Sequence, residues 1–364
     1  MYEGEKVSLQ TFLISSNMIP AKSYAAYSQS TPLAPYAFDR RNLRPDDVHI
    51  KIHYCGVCHS DLHQVRDEWG GAKYPMVPGH EIVGEVVAVG PAVTKFAVGN
   101  RVGVGVMVDS CCSCPSCDRQ MEQYCDEGMT GTYNSYERDG VGITQGGYSS
   151  DIVVKERFVV SIAQHLDIAS VAPLLCAGIT TYSPLRYAGV KAGMRVGVIG
   201  LGGLGHMGVK FAASFGAEVT VISTSAAKEA DAQRLGAHRF LLSTSKEEVK
   251  KHAGYFDVLL DTISANHDYT DFVRMLSLEG KLLVVGLPIE APRIAPGALI
   301  SKRRSIIGSM IGGMKETQEM LDYCAEKNIV SDVEVIPVQY INDAYERMLR
   351  SDVKYRFVID LSTL

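Results

Sequence analysis

Cys111, Cys114, Cys117 and Cys125 follow one another as C-x2-C-x2-C-x7-C. Four thiolates at such short spacing suit a closed tetrahedral zinc site. An iron–sulfur cluster also takes four cysteines, so spacing alone leaves that reading open. Disulfides are the weaker alternative, because the N-terminus lacks the basic start and apolar run of a secretory signal. Asp109, Asp118, Glu122, Asp126 and Glu127 make the segment acidic, which argues against a nucleic-acid-reading finger. Cys112 lies outside the spacing and reads as a non-ligand.

Three further segments hold soft or acidic ligands: Cys55-Gly-Val-Cys58-His59-Ser60-Asp61-Leu62-His63, Gly79-His80-Glu81, and Leu175-Cys176-Ala177-Gly178. Singly, each is weak. A lone buried cysteine behaves as a small apolar residue, and a lone histidine is more often a hydrogen-bonded core group.

Gly200, Gly202 and Gly205 form G-x-G-x-x-G, with Gly203 and Leu204 between the last two. The motif follows an apolar strand pattern, opens a helical one and is followed by a second strand, the context that gives it meaning. The first glycine permits the tight turn, the second lets the backbone approach a pyrophosphate, and the third allows close helix–strand packing. The helix start then offers free N–H groups and a positive dipole end to phosphates.

The end of the second strand bears on cofactor choice. An NAD site has Asp or Glu there. This chain has Ser223, Thr224, Ser225 and Lys228, and no acid between Val219 and Lys228. Hydroxyls and a lysine suit the 2′-phosphate of NADP(H). The alternative is that these are helix-start residues, which Ser and Thr favour.

These residues need two kinds of scaffold. Up to about residue 165 the pattern is β-rich: strands are predicted at 48–54, 82–89 and 102–108, separated by glycine turns. Beyond that, strands at 195–199, 218–222, 256–261 and 281–285 alternate with helical stretches at 206–215 and 226–235. Alternation of that kind means a parallel α/β sheet. Helices are predicted at 316–327 and 342–350, and a last strand at 355–359.

The 364 residues suit two domains at about 150 residues each. Apolar residues at 46% and charged residues at 21% exclude a disordered chain, a collagen and a coiled coil. The net charge of −5 gives no basic footprint for nucleic acid or an anionic membrane. The longest charge-free run, 168–185, carries Pro173 and Pro184 and is unlike a spanning helix. The chain is expected to be cytoplasmic, with no nucleic-acid or membrane partner.

Taken together, C-G-V-C-H-S-D-L-H at 55–63, Y-P-M-V-P-G-H-E-I-V-G at 74–84, the cysteine run at 111–125, L-L-C-A-G-I-T-T-Y-S-P-L at 174–185, G-L-G-G-L-G-H-M-G at 200–208 and S-M-I-G-G at 309–313 resemble the zinc-dependent medium-chain alcohol dehydrogenases. Within them the likeness is to the cinnamyl alcohol dehydrogenase branch. The resemblance implies an α/β chain in which a GroES-like β-rich catalytic domain (1–165 and 312–364) is interrupted by a Rossmann doubly wound parallel-sheet domain (166–311).

It also implies roles. Cys58, His80 and Cys176 match catalytic zinc ligands, with Glu81 a carboxylate beside the metal that can ligate it. Cys111, Cys114, Cys117 and Cys125 match a structural zinc, giving two zinc ions per chain. Asp61 matches an outer partner, Ser60 and His63 a proton relay, and Thr180 a nicotinamide contact. His59 is expected at a cofactor phosphate, while Cys55 stands outside the ligand set and His206 has no role. Three protein ligands leave one zinc position open for Lewis-acid polarisation of a carbonyl.

The expected activity is hydride transfer between NADP(H) and primary alcohols or aldehydes, of aromatic or broad range. The partners implied are a small-molecule substrate and a second copy of the chain, joined near 305–311. Two alternatives remain: a polyol or sugar dehydrogenase of the same fold, and a zinc-stabilised NADPH-binding protein without catalysis.

Overall fold

The strand Asp47–Gly56 is the centre of the first sheet in the computed structural model, which describes residues 18–140, 142–288 and 290–364. Its apolar residues Val48, Ile50 and Ile52 are buried, and Lys51 between them is exposed, as the alternation requires. It pairs antiparallel with Ile82–Val89 along one side. On the other side, Asp151–Lys155 pairs with one end of it and Arg356–Asp360 with the other. The sheet continues through Arg101–Val104 and Val160–Ser161 at one edge and Val333–Pro337 at the other. Strands from residues 47–161 and 333–360 therefore share one sheet, and the chain between them forms another layer.

That layer is a parallel sheet of six strands, in the order Arg239–Leu242, Glu218–Ser223, Arg195–Ile199, Phe256–Asp261, Leu276–Val284, Ser305–Gly308. Val196, Val198, Val219, Val221, Leu259 and Leu260 are all fully buried. That explains why these strands read as continuous apolar runs rather than alternating ones. The order reverses direction between Arg195–Ile199 and Phe256–Asp261. In such sheets ligands bind outside the carboxyl ends of the strands at that point.

Two expectations are corrected, and one hairpin is new. The strand predicted at 102–108 is two strands, Arg101–Val104 and Met107–Asp109, the second pairing with Thr130–Gly131. The chain turns at Gly105, where a Cβ would stand 3.0 Å from the Leu175 carbonyl oxygen. The helix predicted at 226–235 is a 3-10 turn, Ala226–Lys228, leading into Glu229–Arg234. An unanticipated hairpin, Ile19–Ala25 with Ala34–Arg40, precedes the first sheet.

The charge-free run folds as Ile168–Val171, Ala172–Leu175 and Ala177–Tyr187, bent by 55° between its two halves. Among the described residues no single helix is long and apolar enough to cross a membrane. Helices at Met314–Lys327 and Ile341–Leu349 agree with expectation. The secretory-signal reading concerns residues 1–17, outside the described residues.

Candidate active site and metal centres

Cys58 follows the central strand and caps the helix His59–Val65. His80 and Glu81 lead into the adjacent strand, and Cys176 sits between Ala172–Leu175 and Ala177–Tyr187. These three places, far apart in sequence, bring one ligand atom each from Cys58, His80, Glu81 and Cys176 within 4.8 Å of one another, all buried. The Cys58 and Cys176 sulfurs are 4.0 Å apart. Two sulfurs on a tetrahedral zinc, at about 2.3 Å each, stand about 3.8 Å apart.

Asp61 holds the cluster together. Its carboxylate reaches back to accept from the Cys58 N–H at 2.9 Å and the Gly79 N–H at 3.1 Å. The Tyr148 hydroxyl donates to it at 3.1 Å, and His80 Nδ1 faces it at 3.1 Å. The ring is thus fixed through Nδ1, which leaves Nε2 for the cluster. Gly79 has φ +104°, and a Cβ there would stand 2.6 Å from the Tyr148 ring. Only glycine lets the loop aim His80 this way.

Burial alone would lower the His80 pKa, but the Asp61 carboxylate outweighs it, and the result lies well above the ordinary value. Burial pushes Glu81 up to about 7 against the pull of Arg356. The hydrogen bond between the two thiol groups takes Cys58 well below the usual thiol value, whereas the same bond and burial hold Cys176 well above it. The donor set fits zinc. Two sulfurs, an imidazole and a carboxylate converge, and Glu81 Oε2 is buried without a hydrogen-bond partner.

Arg356, which the sequence reading did not single out, pairs with the other Glu81 oxygen and is itself buried. It also lines a cleft of about 280 Å³ with His59, Gly202, Gly203, Ser225 and Lys228. The one signal it gave is a cation at the head of the apolar run Phe357–Ile359.

Ser60 Oγ lies 3.6 Å from Cys58 Sγ. His63 instead turns outward: Nδ1 bonds Glu68 at 2.5 Å, and the ring lies 5.0 Å from that of Trp69. Among the described residues no hydrogen bond joins Ser60 to His63, so the two ends of the expected relay are near but not in contact. Cys55 is buried, donates to the Gly56 carbonyl at 3.6 Å and stands outside the ligand cluster.

Cys111, Cys114, Cys117 and Cys125 also bring their sulfurs within 4.8 Å of one another. Cys111 and Cys117 are 3.9 Å apart, again the tetrahedral spacing. Backbone N–H groups of Cys111 and Asp126 donate to Cys125 and Cys114 at 3.4 Å each, and the Arg138 guanidinium approaches Cys125 at 3.7 Å. Donors turned onto sulfur suit thiolates. Cys112 has φ +60° and turns toward the Ser110 carbonyl, outside the quartet. All nine cysteines are free thiols, which sets the disulfide alternative aside.

Gly200 takes φ +91°, and a Cβ at Gly205 would lie 2.1 Å from the Gly200 carbonyl. With Leu204 between them, the turn delivers the helix Gly205–Ser214 tightly against the sheet. Gly202 faces open space. Ser223 ends the second strand, buried, and its hydroxyl accepts from the Ser225 N–H at 3.2 Å; Thr224 and Ser225 are exposed. Lys228 reaches back to the Leu201 carbonyl at 2.8 Å, so it spans the turn that the glycines make. Thr180 lies one helical turn past Cys176, donating its N–H to that carbonyl at 2.9 Å. His206 bonds Ser331 at 2.9 Å and stacks on Tyr355. Burial lowers its pKa to about 3, and it acts as a neutral packing group.

The family model described as "Alcohol dehydrogenase GroES-like domain" matches residues 44–164, and that described as "Zinc-binding dehydrogenase" matches residues 203–326. The aldehyde reductase YahK of Escherichia coli is 55% identical over 346 residues, 94% of this chain and 99% of that protein. The NADP-dependent alcohol dehydrogenase C 1 of Mycolicibacterium smegmatis is 51% identical over 348 residues, 95% of this chain and 99% of that protein. A cinnamyl alcohol dehydrogenase of Sorghum bicolor superposes with TM-score 0.92 at 44% identity, covering 94% of this chain and 98% of that one. The Helicobacter pylori enzyme of that name, complexed with NADP(H), gives 0.89 at 40%, covering 95% and 99%. The chain belongs to the zinc-dependent medium-chain alcohol dehydrogenases, in the cinnamyl alcohol dehydrogenase branch.

Proposed function

We propose that this chain reduces aldehydes with NADPH, reversibly with primary alcohols, at a zinc held by Cys58, His80 and Cys176. The observation that carries the reading is the contiguity of two sites. Arg356 touches Glu81 on one side and lines the glycine-turn cleft on the other. When bound, zinc supplies Lewis-acid polarisation of a carbonyl, and NADPH supplies the hydride. Asp61 fixes the His80 ring, and Glu81 with Arg356 sets the charge behind the cluster. Arg356 offers a cation, and His59, kept neutral because burial lowers its pKa, offers a ring N–H where a pyrophosphate meets the start of the helix Gly205–Ser214. Ser60, beside Cys58, would hand the reacting oxygen a proton, and His63, which turns to Glu68 and makes no hydrogen bond to Ser60, would replenish it through an intervening hydroxyl or water. Thr180 packs at the nicotinamide end. Cys111, Cys114, Cys117 and Cys125 hold a second, structural zinc.

In this reading residues 1–165 and 312–364 are the catalytic unit and 166–311 the cofactor unit, a division supported by the separate sheets of residues 47–161 with 333–360 and of residues 195–308. A homodimer through the edge strand Ser305–Gly308 is supported by the exposed Ile306 and Met310 on and beside it.

NADPH consumption with aromatic aldehydes, aliphatic aldehydes and ketoses tests this reading. Turnover of aldehydes supports it, turnover confined to ketoses favours the polyol alternative, and none at all favours a binding protein. The same assay is expected to show at least about tenfold higher kcat/KM with NADPH than with NADH. One charge-assisted bond to the 2′-phosphate is worth about 1.5–3 kcal/mol, and about 1.4 kcal/mol is a factor of ten. Lys228 would exchange its bond to the Leu201 carbonyl for that phosphate. Lys228→Ala should raise KM for NADPH several-fold and leave NADH unchanged, and Ser223→Asp should reverse the preference. Equal use of both cofactors by the wild type would leave 223–228 as a helix start only.

A further inference from the structure

Beyond the metal clusters, one buried acid–base pair lies at the carboxyl edge of the parallel sheet. Asp261 ends the strand Phe256–Asp261 and is fully buried. Its Oδ1 accepts from the Ile263 N–H at 3.1 Å, and its Oδ2 faces His267 Nε2 at 3.0 Å. The other ring nitrogen, Nδ1, faces the Ala265 carbonyl at 2.8 Å. A carboxylate and a carbonyl both only accept. Neutral imidazole has one N–H and satisfies one of them, whereas imidazolium satisfies both. His206 meets a hydroxyl, which can donate, and His63 meets Glu68 alone, while His80, which also faces a carboxylate at Nδ1, turns Nε2 to the metal cluster.

The loop this ring closes packs against the glycine turn that borders the cofactor cleft. Thr262 donates its N–H and its hydroxyl to the Ile199 carbonyl, at 3.1 and 2.8 Å. Thr262 Oγ1 and Ile263 Cγ1 stand 3.0 and 3.1 Å from where a Gly200 Cβ would be. The Asp261 carbonyl accepts from Val285 and Gly286, each at 3.1 Å, and Asn266 accepts from the Glu290 N–H at 3.1 Å. Residues 261–266 thus brace the glycine turn on one side and the end of Leu276–Val284 on the other.

We propose that His267, as an imidazolium clamped between Asp261 and the Ala265 carbonyl, is a positioning residue that holds the cofactor cleft in its binding form and releases it when deprotonated. This rests on the cofactor reading of the glycine turn. The other ionisable groups around the ring are few. Asp268 follows it on the same loop, and Arg293 acts on Asp268 from the neighbouring segment. Tyr269, from the helix Tyr269–Met275, lies 5.1 Å away with its ring tilted by 54°, and burial holds its hydroxyl at about 12, so it stays neutral. The Asp261 bond, opposed by burial and helped by Ala265, raises the His267 pKa. The clamp is therefore complete below the ordinary histidine value of about 6.5 and is lost as pH rises through the higher value in the folded loop.

The test is NADPH binding to the holoenzyme by fluorescence titration between about pH 6 and pH 9, in the wild type and in His267→Gln. The 2′-phosphate of NADPH titrates in both, so the ratio of their dissociation constants isolates the ring. The wild type should lose affinity about three- to tenfold more than the variant across the range, with kcat at saturating NADPH little changed. Asp261→Asn, which keeps the acceptor for Ile263, should move the midpoint of the wild-type profile to lower pH. Nitrogen-15 spectra of labelled histidine should show both His267 nitrogens protonated at neutral pH. Parallel profiles in wild type and His267→Gln, or a single protonated nitrogen, would overturn the proposal. No NADPH binding at any pH would overturn the cofactor reading beneath it.

Discussion

His80→Ala is expected to lower kcat for aldehyde reduction by more than about a thousandfold and to leave a folded protein holding one zinc instead of two. The imidazole is one of the four convergent donors, and its loss opens the site on the side that Asp61 braces. Lewis-acid stabilisation is worth several kcal/mol, and each 1.36 kcal/mol is about tenfold in rate. The fold should survive, because Asp61 keeps its bonds from Cys58, Gly79 and Tyr148 when the ring is gone. Elemental analysis, circular dichroism and steady-state rates on one preparation check all three points. Turnover within tenfold of the wild type, with both zinc ions retained, would remove His80 from the site.

Cys114→Ser should act on the other property. The side chain is half-exposed, and the change is nearly isosteric. With no metal at stake, such a surface substitution falls within about 0.5 kcal/mol. With zinc at the quartet it removes one of four ligands from a site whose binding free energy is folding free energy. The thermal midpoint should fall by about 10 °C or more, and one zinc per chain should be lost. The remaining zinc and the rate per folded molecule should stay close to those of the wild type at low temperature. An unchanged midpoint with two zinc ions would show that the quartet is not a metal site.

The parts of this molecule that were legible in sequence are those whose reasons are local. Val48–Tyr54 alternates because one face of a strand is buried. The glycines at 200 and 205 announce a turn because the first has φ +91° and a Cβ at the second would meet the Gly200 carbonyl. The cysteine quartet is legible because its four ligands lie within fifteen residues of chain. What escaped depends on contact across sequence. Arg356 meets Glu81 across 275 positions, and nothing near residue 356 hints at a partner. The strand predicted through Gly105 breaks because Leu175 approaches it from another element. Lys228 reads in sequence as a partner for a 2′-phosphate, but its place in the cleft depends on the Leu201 carbonyl. The His267 clamp escaped for the same reason: its two acceptors are near in sequence, but its purpose lies at Gly200 and Gly286.

The strand Arg356–Asp360 sets a timetable for synthesis. It covers one end of Asp47–Gly56 through Val358, Ile359 and Asp360 opposite Gly56, Cys55 and Tyr54. About three hundred residues therefore leave the ribosome between the first half of that pairing and the second. In that interval the parallel sheet of residues 195–308 has all its strands and folds as a unit. The earlier sheet waits with one edge bare, a template for pairing with other chains. Cys55 and Cys58 sit on and just beyond that edge, still without the cation that balances Glu81. The last strand both closes the edge and delivers Arg356, so the metal site and the resistance to aggregation are completed by the same few residues.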